Sequence, residues 1–262
     1  MGQLKRHGVL LKNYHELIKK NKFNFIFIFL ANFLLVPNLH PENLSKYLLN
    51  YPNLDDSDGE VVLNNEYVVL QKLVVGPGEW EGIHSHPGNQ IYVHIKGGYW
   101  SGKMHGELEY EKEFSPDGSV GWMDVIPIED RHDSGNSGNT PIELIYVTLK
   151  QDELDKKGGD TELQTYPYVN MELLFDNHRF FAQKVVLNPG EWEGPHLQTG
   201  RKILIVIKGG VISSRRNGEY FFRKREISPG EVEWLEPEFP DETFERGNEG
   251  EEIIEYVLVT IK

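Results

Sequence analysis

The 262-residue chain contains no cysteine. Disulfides, thiolate ligands and a cysteine nucleophile are excluded, so any bound metal must be held by nitrogen and oxygen donors. Cations are also scarce: 27 Lys and Arg stand against 41 Asp and Glu, a formal net charge of −14. Nucleic-acid backbones need clustered Lys and Arg. Beyond the first residues only the run Arg223–Arg225 gathers positive charge, which argues against a nucleic-acid partner. Long apolar runs are missing too. The most apolar stretch, "FNFIFIFLANFLLV" from Phe23 to Val36, has 14 residues before Pro37, against the ~20 of a membrane-spanning helix. No long amphipathic helical pattern follows residue 60.

That apolar stretch follows six basic residues (Lys5, Arg6, Lys12, Lys19, Lys20, Lys22) and one acid, Glu16. A basic lead before a short apolar core is the pattern of an export signal. Residues 1–36 are therefore expected to be a signal or an N-terminal apolar segment, with no stable membrane span. The signal reading implies a periplasmic or extracellular protein. A buried element, or translation starting later near Lys19, implies a cytoplasmic one. Residues 37–59 read as a connecting segment, in which "HPENLSKYLLNYPNL" (40–54) could supply a short helix.

The chain then repeats itself. "VVGPGEWEGIHSHPGNQIYVHIKGG" (74–98) returns as "VLNPGEWEGPHLQTGRKILIVIKGG" (186–210), with Trp80 matching Trp192, His84 matching His196 and Gly97 matching Gly209, each 112 residues on. The same offset joins Lys150 to Lys262 at the ends of "GNTPIELIYVTLK" and "GEEIIEYVLVTIK". A constant offset over a whole unit indicates duplicated domains, expected at 60–150 and 163–262. Between them the charged, Gly-containing "QDELDKKGGDTE" (151–162) reads as a linker. Runs such as "QIYVHIK", "KILIVIK" and "ELIYVTL" are rich in β-branched and aromatic residues and bounded by Gly, Pro and Asn. Units of this size built from short strands are sandwiches or barrels.

Two motifs in the first copy carry the chemistry. Gly78, five residues, His84-x-His86, three residues, Gln90, six residues, Gly97 forms one; Gly121, five residues, Pro127, then His132 and Asn136 forms the other. Residues two apart on a strand share a face, so His84 and His86 point together, and Gln90 shares its face with Tyr92 and His94. Imidazoles suit first-row divalent metals, and three His plus one oxygen leave positions open for water or substrate. The competing reading is a hydrogen-bonded polar cluster without metal. Pro87-Gly88 is expected to turn the chain back.

These motifs resemble the two cupin motifs, with Gln90 in place of the usual Glu and Glu129 in place of a central Gly. The duplicated whole resembles a bicupin. The resemblance implies an all-β fold of two tandem β-jelly-roll barrels behind the N-terminal segment. It also implies one divalent transition metal (Fe, Mn, Ni or Zn) on His84, His86, Gln90 and His132. A His-His-Gln-His set resembles the cupins that linearise unsaturated uronates, although the strand after the third His offers Glu143 and neither Asp nor Arg. Tyr92 resembles the base of cupin lyases acting on sulfonium propionates. Tyr92 and His94 are thus the candidate catalytic residues, each with an alternative role in packing or lining the wall.

The second copy has His196, Gln198, Lys202 and Phe244 at the four positions, with Leu204 and Val206 where the first has Tyr92 and His94. An ammonium repels a cation, so this copy is expected to be degenerate: structural, or a site for an acidic ligand at Lys202 unless the nearby Glu242 neutralises that lysine. The repeated "GEWEG" turn occurs with and without the ligand set, so it reads as fold. The expected function is a metal-dependent isomerase, lyase or ring-opening enzyme working by Lewis-acid and proton-transfer chemistry. Its partner would be a small anionic, sugar-acid-like substrate, and a homodimer is left open. The alternatives are a non-catalytic bicupin binding a sugar or metabolite, and a three-His iron dioxygenase.

Overall fold

The computed structural model describes residues 44–55, 59–150, 163–237 and 241–262. The expected signal, the linker 151–162 and parts of the connecting segment lie outside the described residues. No helix among the described residues is long and apolar enough to cross a membrane.

The first barrel contains β1 (Glu60–Asn64), β2 (Val68–Val75), β3 (His86–Lys96), β4 (Gly98–Met104), β5 (Glu107–Ser115), β6 (Val120–Ile126), β7 (Asp133–Asn136) and β8 (Ile142–Leu149). They form a five-stranded sheet, β1-β2-β8-β3-β6, and a three-stranded sheet, β5-β4-β7. The second barrel follows with β9 (Met171–Asp176), β10 (Phe180–Leu187), β11 (Lys202–Lys208), β12 (Gly210–Arg216), β13 (Glu219–Ile227), β14 (Val232–Leu235), β15 (Phe244–Asn248) and β16 (Ile254–Ile261). Its sheets run β9-β10-β16-β11-β14 and β13-β12-β15, the same order. All sheet pairing is antiparallel. The fold is two β-jelly-roll barrels in tandem.

The inner strands of the large sheets (β2, β8, β10, β11 and β16) are buried on both faces, which explains why they read as unbroken apolar runs. On β3, Ile91, Val93 and Ile95 point outward into one core shared with Ile203, Ile205 and Ile207 of β11. The alternate residues point into the barrel, where Tyr92 packs with Leu144, Tyr146 and Trp100. The interior of the second barrel is more thoroughly apolar, with Leu204, Val206, Leu258 and Tyr256.

Two local expectations change. Pro87-Gly88 does not reverse the chain, because His86 to Lys96 is one strand with a bulge between Pro87 and Gln90. Gly88 (φ 77°) and Asn89 (φ 51°) absorb the extra residue in left-handed conformations, and a Cβ on Gly88 would meet Val125 at 2.5 Å. The segment 40–54 contributes only a 3-10 turn, Leu44–Lys46, among its described residues. Its apolar side chains act individually: Leu49, Tyr51 and Leu54 are buried in the core of the first barrel.

Candidate metal centre

His84 lies just before β3 and forms a β-bridge with His132, which precedes β7. The His84 N–H donates to the His132 carbonyl at 3.1 Å, so the third histidine is a neighbour of the first and does not reach it from across the barrel. His86 opens β3. The ligand atoms of His84, His86 and His132 lie within 4.8 Å of one another, and all three residues are buried.

Hydrogen bonds fix the tautomers. His84 Nδ1–H donates to the Gly82 carbonyl at 2.8 Å, and His86 Nδ1–H donates to Gln90 Oε1 at 3.2 Å. Both Nε2 atoms therefore carry lone pairs, and they face each other 3.0 Å apart. His132 Nδ1 is buried without a hydrogen-bond partner. Burial drives each imidazole toward its neutral form, His84 down to about 4, His86 to about 2, and His132 in the same direction. Neutral imidazoles with converging lone pairs are a donor set seeking a cation. Metal–nitrogen bonds of about 2.1 Å place ligands at a right angle about 3 Å apart, which this pair matches. The residues fit a divalent transition metal.

Gln90 sits differently from its expected place. Its amide oxygen accepts from His86 Nδ1–H, and its Nε2 donates to Thr148 Oγ1 at 2.8 Å. In this geometry it orients a ligand from behind, as outer partners of metal-binding histidines do.

His94 is also held fast. Trp100 Nε1–H donates to His94 Nε2, and Ser119 Oγ meets Nδ1, each at 3.0 Å. With both nitrogens engaged and burial lowering it to about 4, His94 is a fixed wall and not the proton carrier expected. Tyr92 keeps its candidacy. It lines a cavity of about 370 Å³ that also reaches His132, Ser134, Tyr110, Tyr146, Glu109 and Glu113. Its ring lies over β6 only because position 121 is Gly: a Cβ there would meet the phenol oxygen at 2.2 Å. Burial raises the Tyr92 hydroxyl above its usual range, so the phenol stays protonated. Glu143 plays no part, since it pairs with Lys72 at 3.2 Å.

Sequence reasoning missed Glu81, the second acid of the "GEWEG" turn. It is 1% exposed, its Oε2 lies 3.6 Å from His84 Nε2, and Ser134 Oγ–H donates to that oxygen at 2.6 Å. Oε1 has no hydrogen-bond partner. Burial pushes its carboxyl up to about 8 against the pull of Ser134. The turn was discounted because both copies contain it. The signal that could have found Glu81 was its spacing, three residues before the first histidine.

The second mouth is closed to a metal. Gln198 and Phe244 replace two histidines, and Lys202 is 1% exposed. Glu242, expected to neutralise Lys202, lies 3.7 Å from Arg216 Nε. Arg246, on β15, fills the mouth with a buried guanidinium 3.9 Å from Glu193 and 3.5 Å from Glu233.

No family model matches the sequence, and no curated protein matches it. Solved structures do. AerE from Microcystis aeruginosa is 12% identical over 83% of this chain and 100% of that one, with a TM-score of 0.54. A cupin 2 conserved barrel domain protein from Leptotrichia buccalis is 16% identical over 78% of this chain and 88% of its own, at 0.46. Salicylate 1,2-dioxygenase from Pseudaminobacter salicylatoxidans is 12% identical over 80% and 74%, also at 0.46. At these identities the likeness is one of fold.

Proposed function

From a bicupin fold with one histidine-lined mouth, we propose that this protein is a metal-dependent enzyme. His84, His86 and His132 hold one divalent ion (Fe, Mn, Ni or Zn), and the substrate enters through the cavity above it. The observation that carries this reading is the convergence of neutral imidazole lone pairs beside an open cavity that reaches His132. A purely structural metal would have no need of that opening.

When bound, the metal supplies Lewis-acid polarisation of a substrate oxygen. Everything else falls to the chain. Tyr92 presents a protonated phenol to the cavity and is the group placed to donate a proton to the developing oxyanion. Trp100, Met104, Met123 and Leu144 exclude water around it. The reaction class is isomerisation, elimination or ring opening by proton transfer.

The cavity lining revises the substrate. Glu109 and Glu113 supply its charges, and neither Lys nor Arg is among the lining residues. A free carboxylate in the cavity would face two acids, with the metal ion alone and no cationic side chain to receive it. The lining favours a small neutral or positively charged hydroxy or carbonyl compound over the sugar acid. The test is a panel of neutral sugars, amino sugars, uronates and aromatic acids on metal-loaded protein, with oxygen uptake followed in parallel. Neutral or amino substrates should turn over without oxygen consumption. Preference for a uronate would overturn the charge argument, oxygen uptake would favour a dioxygenase, and no turnover at all would favour the binding protein.

A further inference from the structure

We propose that Glu81 supplies the carboxylate ligand of the metal centre, entering from the "GEWEG" turn because position 90 has no acid to offer. The inference rests on the reading that the three histidines hold a metal. Gln90 is spent on His86 and Thr148, so its amide does not face the Nε2 cluster. Glu81 stands at the edge of that cluster. It is not among the three residues whose ligand atoms lie within 4.8 Å of one another, but its Oε2 is 3.6 Å from His84 Nε2, a separation that two ligands of one ion with bonds of about 2.1 Å adopt. Joining the other two histidines takes a rotation of its side chain. Its Oε1 is buried and without a partner.

The second barrel is the internal control. Glu193 occupies the same place in the register: Glu81 N–H donates to the Ser134 carbonyl and Glu193 N–H to that of Arg246, both at 2.8 Å. There the carboxylate is fully answered. Arg246 N–H donates to Oε2 at 2.8 Å, the Arg246 guanidinium stands 3.9 Å from Oε1, and the Tyr256 hydroxyl donates to Oε1. The first barrel has Ser134 where the second has Arg246, and Leu144 where it has Tyr256. The charge that would balance a buried carboxylate is missing, and three imidazoles gather beside the gap. One barrel neutralises its buried acid with a guanidinium and the other with a metal ion.

The experiment measures Co(II) and Zn(II) affinity by competition with a chelator, together with the Co(II) visible spectrum. The proteins are wild type, Glu81→Gln, Gln90→Ala, His86→Ala and the double variant Glu81→Gln/Gln90→Glu. Circular dichroism of each metal-free protein verifies folding. Glu81→Gln should weaken binding at least about tenfold and change the Co(II) spectrum, whereas Gln90→Ala should have the smaller effect. The double variant places its new acid behind His86, away from the Nε2 cluster, so it should keep the altered spectrum and most of the loss; full recovery of both would overturn the role of Glu81. Glu81→Gln binding as wild type with an unchanged spectrum, while His86→Ala loses the ion, would overturn the role of Glu81 and leave the histidine site standing. A wild type that binds neither ion would sink both.

Discussion

Arg246 and Ser134 occupy the same register position in the two barrels, one beside Glu193 and the other beside Glu81. That difference, together with Gln198 and Phe244 in place of two histidines, separates a mouth closed by its own guanidinium from one prepared for an external cation. Breaking a buried ion pair by removing one partner costs about 3–5 kcal/mol. Arg246→Met should therefore lower unfolding free energy by an amount of that order, measured in urea, and leave metal binding in the first barrel intact. Loss of metal along with stability would show the barrels to be coupled in a way this account does not include.

Stability of the metal-free protein should depend on pH from both sides. His84 and His94 are lowered to about 4 and His86 to about 2, against 6.5 in the unfolded chain. Between those values the unfolded state takes up protons that the folded state refuses, so stability is complete above about 6.5 and falls as pH drops toward 4 and then 2. Glu81 acts in the opposite sense. Raised to about 8 from 4.5, it holds a proton that the unfolded chain has lost, so stability falls as pH rises through that window and then levels. Metal-free protein should be most stable near pH 6.5, and Glu81→Gln should flatten the alkaline limb. An unaltered alkaline limb in that variant would remove Glu81 as its source.

Gln90→Glu tests the amide behind His86. A carboxylate would accept from His86 Nδ1–H more strongly and make the ring a better donor, so metal affinity should hold or rise. It would reverse the bond to Thr148, whose hydroxyl now accepts and would have to donate, and it would bury a carboxylate, which lowers the stability of the metal-free protein. Calorimetric titration and a thermal melt check both. Metal loss in this variant would mean that Gln90 does something other than orient the ring.

Tyr92→Phe and Gly121→Ala should behave alike for different reasons. The first deletes the phenol, and the second places a methyl 2.2 Å from where the oxygen now lies. Each should cut kcat by about 10²–10⁴, the range for a positioned acid, with metal content unchanged. Full turnover in Tyr92→Phe would reduce Tyr92 to packing.

Much of this was legible in the residues. Alternation along "QIYVHIK" separated Gln90, Tyr92 and His94 from Ile91, Val93 and Ile95, and β3 keeps that division. The spacing of His84, His86 and His132 brought the three together. What stayed hidden depends on atoms and not on periods. Which nitrogen of His86 meets Gln90, and that both nitrogens of His94 are engaged, cannot be read from letters. Glu81 was masked by its twin Glu193, because repetition looks the same whether it serves fold or chemistry. The charge of the cavity was missed because "ELEYEKEFS" reads as a solvated strand, while register shifts on both sides of Tyr110, with Lys112 at φ 55°, break its alternation and bring Glu109, Tyr110 and Glu113 together on the cavity.

The most direct test of the central claim is metal content per chain, by elemental analysis of wild type, His86→Ala and His196→Ala loaded side by side. One ion in wild type, none in His86→Ala and one in His196→Ala is the predicted result. Loss of the ion in His196→Ala with retention in His86→Ala would contradict a metal centre in the first barrel.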